Sequence, residues 1–268
     1  MDVDGIHVEV VGEGPSVLVL HGGLGVDHTL YRSLDELCGG LRLIYLDHRG
    51  NGRSARPDPE TLTMAGWADD ALHVGRAVAG ADPFIVFGHS YGGFVAQELA
   101  IRHPTDVRAL LLVCTTAGQL GTGEEPAQPG PPIPVEFEAL LSSPPESDAD
   151  VAAGMATLAP AYVHRVEPER LRDLMADTVF SASAMRRGFE VLSTWSSVDR
   201  LRSITAPTLV VAGRHDPFTS WPQADRIAAH MPNAEVIVFE ESSHFPWIDE
   251  PEAFSATIRQ WLAGHELL

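Results

Sequence analysis

Residues 17–20, 43–46, 84–87 and 110–113 read Val-Leu-Val-Leu, Leu-Ile-Tyr-Leu, Phe-Ile-Val-Phe and Leu-Leu-Leu-Val. A strand with one wet face alternates apolar and polar residues, and these four runs do not alternate. They are strands buried on both faces, which is the pattern of a parallel sheet with helices packed above and below. The sequence between them supplies the helices. Met64, Trp67, Ala68, Ala71, Leu72 and Val78 fall on one helical face, and a second helix is predicted over residues 91–102, before Pro104. Residues 6–10 add a further strand-like run. Near the C-terminus the alternation resumes, with strands at residues 208–212 and 234–239 and a helix opening at Pro251. The fold class is therefore α/β.

The middle of the chain has another texture. Residues 118–130 are Gly-rich and acidic and include Glu124 and Glu125, and Pro131, Pro132 and Pro134 stiffen the next few residues. After Pro144-Pro145, helical stretches are expected at residues 147–158, 169–180 and 182–195, with no strand among them. We read residues 118–200 as a helical cap over the C-terminal edge of the sheet, where open α/β folds bind ligands. Residues 1–117 and 201–268 then form the core.

Charge excludes some partners. With 18 Lys and Arg against 37 Asp and Glu, the formal charge is −19, and such a surface repels phosphate backbones and anionic lipid. The first residues carry neither a basic n-region nor an apolar h-region, and no apolar run approaches a bilayer span. A cytoplasmic protein without nucleic-acid or membrane partners is expected, its partner being a small-molecule substrate. Cys38 and Cys114 make no disulfide framework, and no His, Cys, Asp or Glu cluster has zinc-ligand spacing, so no metal is expected.

The chemistry concentrates after the run at 84–87, where Gly88-His89-Ser90-Tyr91-Gly92 joins a strand to a helix. In that context a G-x-S-x-G sequence is a tight turn that presents a serine hydroxyl at a helix N-terminus. A serine needs a base to take its proton. His244, in the polar loop after the last strand, leaves the same sheet edge; His89 is too close to Ser90 to serve and should pack or hydrogen-bond beneath it. A carboxylate must orient the imidazole. Asp216, after the strand at 208–212, is the candidate, with Asp249 in reserve. Oxyanion donors are expected from the backbone N–H of Tyr91 and of Gly23, in His21-Gly22-Gly23-Leu24-Gly25. That loop lacks the G-x-G-x-x-G spacing of a dinucleotide site, so no cofactor is expected.

These pieces together resemble an α/β-hydrolase. His21-Gly22-Gly23 matches the family's oxyanion loop, residues 47–54 its D-x-R-G-x-G-x-S turn, and Ser90, Asp216 and His244 its order of nucleophile, acid and base. The resemblance implies an eight-stranded, mostly parallel sheet, a lid inserted after the sixth strand, and no cofactor. Within the family, the His21–Gly25 loop with His28 downstream is similar to that of proline iminopeptidases, although Leu24 stands where those have proline. Such peptidases hold the substrate amine with cap glutamates. Residues 193–197 offer none, which leaves Glu136, Glu138 and Glu190 as candidates. Leu24 and Phe245, beside the oxyanion loop and the base, are expected to touch substrate.

Three readings stand at this point. The first is a serine hydrolase of a small or medium ester, lactone or thioester. The second is an iminopeptidase-like aminopeptidase or amidase. The third is a small-molecule receptor built on the same fold.

Overall fold

The computed structural model describes residues 1–35, 39–118 and 130–268. Cys38, Glu124 and Glu125 lie outside the described residues. Among the described residues eight strands form one sheet: β1 (Asp2–Val3), β2 (Ile6–Val11), β3 (Ser16–Leu20), β4 (Arg42–Leu46), β5 (Phe84–His89), β6 (Val107–Val113), β7 (Thr208–Gly213) and β8 (Ala234–Phe239). Their spatial order is β1-β2-β4-β3-β5-β6-β7-β8. The pairs β1–β2 and β2–β4 are antiparallel and all others parallel. The two-residue β1 was not foreseen, since it is too short to show a period.

The helices α1 (Met64–Ala79) and α2 (Tyr91–Arg102) pack together against β3, β4 and β5. Thr63 caps α1 by accepting from the Gly66 N–H at 3.0 Å. On the opposite face, Phe87 of β5 meets Trp247 edge-on, 5.9 Å between ring centres. Both faces of the sheet are thereby covered, as the unalternated runs require. Among the described residues no helix is long and apolar enough to cross a membrane.

Among the described residues between β6 and β7 lie four α-helices: α3 (Val135–Ser142), α4 (Asp148–Tyr162), α5 (Pro168–Leu174) and α6 (Ala182–Leu192). Helix α3 falls where only a proline-stiffened step was expected. Its sequence signal is Pro134 at the N-cap followed by Glu136 and Glu138 in the first turn, where the helix dipole favours acids. Helix α4 opens with a capping box between Ser147 and Asp150 and continues past the expected end at Leu158. It runs through Pro160, which cannot donate to the Ala156 carbonyl one turn back. The Arg172 guanidinium of α5 donates to that carbonyl instead, at 3.3 and 3.2 Å. The helix thus reaches Tyr162. Helix α5 stops at Leu174, earlier than the predicted 180, and beyond it the Val179 N–H donates to Asp27 Oδ2 of the core at 3.0 Å.

The chain then forms α7 (Pro222–His230), the short α8 (Pro246–Asp249) and α9 (Pro251–Gly264).

Candidate active site

The loops leaving the C-terminal ends of β3, β4, β5, β7 and β8 converge. Ser90 follows β5 directly and has φ 51° and ψ −117°, a left-handed conformation that costs a non-glycine residue about 1–3 kcal/mol. Several hydrogen bonds hold it there. The Ser90 N–H donates to the Val113 carbonyl at 3.0 Å, while the Ser90 carbonyl accepts from Gly93 N–H at 2.9 Å and Thr115 Oγ1 at 2.8 Å. The turn also needs room: a Cβ on Gly88 would lie 2.6 Å from the Gly92 carbonyl oxygen.

His244 follows β8. Its N–H donates to the Tyr162 carbonyl at 3.0 Å, and its Nδ1 lies 2.8 Å from Asp216 Oδ2. Asp216, after β7, is fully buried. It closes an Asx turn before Thr219, accepting from the Phe218 N–H at 2.8 Å, the Thr219 N–H at 3.2 Å and Thr219 Oγ1 at 2.6 Å. Burial pushes this carboxyl up, but the His244 imidazole and the Thr219 and Phe218 donors outweigh it and hold the pKa at about 2. An ionised carboxylate only accepts, so His244 Nδ1 carries a proton and Nε2 is the atom left to receive one.

A second set of bonds ties the loops together. The Gly22 N–H donates to Tyr31 Oη at 2.6 Å, Tyr31 Oη lies 2.5 Å from His89 Nδ1, and His89 Nε2 lies 2.8 Å from the His244 carbonyl. Their directions are forced. The carbonyl can only accept, so Nε2 carries the His89 proton. Burial first, and His244 second, keep the His89 pKa far below its ordinary value, so Nδ1 accepts from the tyrosine. His89 therefore hydrogen-bonds beneath Ser90, as the sequence suggested. Tyr31 was not anticipated, because its 58-residue separation from His89 leaves no local pattern. Gly22 has the same tight fit as the turn: a Cβ there would meet His89 Nδ1 at 2.6 Å and Ser90 Cβ at 2.8 Å.

Two cavities meet at this point. Ser90, His244, Gly23, Met155 and Tyr162 border both. The smaller, about 400 Å³, continues along Val26, Leu30, Tyr31, Met175 and Phe245, with Asp27 and Thr178 in its wall. The larger, about 600 Å³, continues along Leu24, Phe94, Phe137, Met185, Phe189 and Phe218. Tyr91 borders the larger one, next to Ser90. Among the described residues no protein group accepts from the N–H of Gly23 or Tyr91. Leu24 borders the larger cavity and Phe245 the smaller.

The glutamates do not. Glu136 is exposed on α3 and borders a different surface hollow, with Pro144 and Gly154. Glu138 is exposed on the same helix. Glu190, exposed on α6, pairs with Arg187 at 3.0 Å. None borders the Ser90 cavities, because charged residues took the solvent side of these helices while Phe137, Met185 and Phe189 turned inward. Asp249 is also placed elsewhere. Its carboxylate accepts from the Ser243 N–H at 2.9 Å and from the N–H groups of His164, Arg165 and Val166, at 3.0, 2.8 and 3.3 Å. It fastens the His244 loop to the segment after α4.

The sequence model of the alpha/beta hydrolase fold matches residues 15–251. The chain belongs to that family. Among relatives of this hydrolase, a pimeloyl-[acyl-carrier protein] methyl ester esterase of Shewanella sp. is 29% identical, the match covering 96% of this chain and 94% of that protein. A proline iminopeptidase of Saccharolobus solfataricus is 24% identical over 94% of this chain and 86% of its own. Among solved structures, an esterase from Exiguobacterium antarcticum superposes with a TM-score of 0.79 at 24% identity, covering 96% and 95% of the two chains, and so shares the fold. The hydrolase is an enzyme of a family whose members include both esterases and iminopeptidases.

Proposed function

We propose that this enzyme hydrolyses neutral carboxylic esters, lactones or thioesters through an acyl-enzyme on Ser90. The observation that carries this reading is the lining of the cavities. Ser90 stands where two largely apolar spaces meet, and among the described residues the only carboxylate bordering either one, Asp27, is already paired with Arg53 at 2.6 Å. An aminopeptidase has to hold an ammonium, and burying one without a counter-charge costs several kcal/mol on the order of magnitude expected for an ion.

In this reading residues 118–200 act as the cap that shapes the pocket. Ser90 Oγ attacks the acyl carbon and its proton passes to His244 Nε2. The oxyanion is met by the N–H groups of Gly23 and Tyr91, with α2 adding its N-terminal dipole. Collapse expels the alcohol, which takes the proton from His244. A water then attacks the acyl-enzyme by the same route in reverse. Asp216 stays ionised throughout and stabilises the imidazolium.

The test is a panel of p-nitrophenyl acyl esters beside proline-naphthylamide, with a fluorophosphonate probe on the same preparation. We expect Ser90 to label and the best ester to exceed the amide in kcat/KM by at least about tenfold, roughly 1.4 kcal/mol. The reverse order would make the enzyme an aminopeptidase, and an unlabelled Ser90 with no turnover would leave a receptor.

A further inference from the structure

The two cavities beside Ser90 are walled by different chemistry. Around the smaller one, about 400 Å³, stand the buried aliphatic and thioether side chains of Val26, Leu30, Met155 and Met175. Two of its rings, Tyr31 and Phe245, are already packed against Trp247, with ring centres 5.4 and 5.2 Å away. Around the larger one, about 600 Å³, stand the rings of Phe94, Phe137, Phe189 and Phe218, and that of Tyr162, which lies in the wall common to both.

The rings of the larger cavity come from separate elements and leave a place for another. Phe218, in the loop after β7, stacks on Tyr162 of α4 at 4.3 Å and is met edge-on by Phe137 of α3 at 5.0 Å. Phe189, on α6, has no ring packed on it among the described residues. Phe137 and Phe189 are only half-buried, so each keeps ring surface that the protein leaves uncovered. Any apolar ligand gains by covering such surface. An aryl ligand gains more, because aromatic rings attract one another face to edge and in offset stacks at centre separations of about 4.5–7 Å. The thioether of Met185, in the same wall, is a further soft partner for a ring edge. A saturated ring of equal size covers as much surface but lacks that complement.

We propose that the substrate is an unsymmetrical ester with an aryl group on one half, taken by the larger cavity, and an aliphatic group on the other, taken by the smaller. Phe137 and Phe189 are then specificity-determining residues. The inference rests on the ester reading for what the enzyme does with such a ligand, but ring recognition can be measured apart from turnover.

The experiment uses two matched pairs. Benzyl butyrate against cyclohexylmethyl butyrate places the ring on the alcohol half; ethyl 3-phenylpropanoate against ethyl 3-cyclohexylpropanoate places it on the acyl half. Cyclohexyl is the more apolar ring, so burial alone favours it and a preference for phenyl reports recognition of the aromatic face. Binding is measured by ligand-observed NMR titration on the full-length Ser90→Ala protein, and hydrolysis on the wild type. In at least one pair the phenyl ester should bind about threefold or more tighter, the scale of one aromatic pair. Phe189→Leu and Phe137→Leu on the same background, which keep an apolar side chain and remove the ring, should each lower that ratio, and Phe189→Tyr, which keeps the ring, should retain it. On the wild type the preference in kcat/KM should be confined to one pair, because the larger cavity takes only one half of the ester. Equal or tighter binding of the cyclohexyl ester in both pairs would overturn the proposal, as would a phenyl preference that survives both leucine variants. A phenyl preference in kcat/KM in both pairs would overturn the division between the cavities. If the phenyl ester binds better but the wild type cleaves neither, the ester reading fails and the aryl site stands.

Discussion

Among the described residues there are two buried Asp–His pairs on the same edge of the sheet, and they have opposite surroundings. His244 Nδ1 meets Asp216 at 2.8 Å, and His28 Nδ1 meets Asp47 at 2.6 Å. What differs is the far side of each ring. His244 borders two cavities beside Ser90, whereas the Nε2 of His28 lies 3.3 Å from a second carboxylate, Glu9. Burial alone would lower the His28 pKa, but Asp47 and then Glu9 outweigh it and raise it. Burial likewise acts to raise Glu9, yet Arg32 and His28 bring its pKa down to about 2. His28 is thus an imidazolium clamped between acids, tying β2 to the turn after β4. An imidazole with two carboxylates holds its proton. One whose second nitrogen borders an open space can trade it. A His–Asp contact is therefore no evidence of catalysis until the other nitrogen is accounted for.

The largest expected effect tests the catalytic side of this contrast. Ser90→Ala should lower kcat by about 10⁴ to 10⁶, leaving what the oxyanion donors and binding supply. A variant that kept a tenth of wild-type kcat would show that another group attacks the substrate.

Exchanging the two histidines sharpens it. His244→Ala should cost about 10⁴ or more in kcat and abolish the rise of kcat/KM with pH, because the base is gone. His28→Gln should keep that rise and lose stability instead, by about 3 kcal/mol or roughly 6–12 °C in Tm. The sign of its pH dependence comes from the raised pKa. The His28 contribution is complete below the ordinary histidine value of 6.5 and disappears as pH rises through the higher folded value. The Tm gap between wild type and His28→Gln should therefore shrink from pH 6 to pH 9. Asp216, with its pKa lowered to about 2, runs the other way: its contribution is present above 3.8 and lost as pH falls through about 2. A gap that widened with pH would refute the clamp.

Tyr31→Phe should have a smaller effect. It leaves the Gly22 N–H without an acceptor and His89 Nδ1 without a donor, so the Gly22 loop and the His244 loop lose their common tie. We expect kcat to fall about 10- to 100-fold with KM changed less than threefold, each orphaned group being worth about 1–3 kcal/mol. A rise in KM alone would place Tyr31 in binding rather than positioning.

Smallest of all, Glu136→Gln and Glu190→Gln should each change ester kcat/KM by less than about twofold, since exposed acids and surface pairs contribute little. A tenfold loss in either would return a glutamate to the substrate site.

The strands other than the two-residue β1, the placing of Ser90, Asp216 and His244 in loops directly after strands, and the two glycine turns were legible in the sequence because each is local. Unalternated apolar runs mark buried strands, and a glycine-flanked serine between strand and helix marks a strained turn. The lining of the pocket was not legible in the same way. Phe137 and Glu136 are adjacent on one short helix, and nothing in residues 135–142 says which of them faces Ser90. The contact of Arg172 with the Ala156 carbonyl in α4, and that of Asp27 with the Val179 N–H across 152 residues, join segments that no local pattern relates. The sequence alone determined where the chain makes strands and where the reactive side chains leave them, because backbone geometry and burial act over a few residues. That His28 sits between two carboxylates, and which acids stay in water, was decided only by tertiary packing, because solvation and charge depend on neighbours that no local window contains.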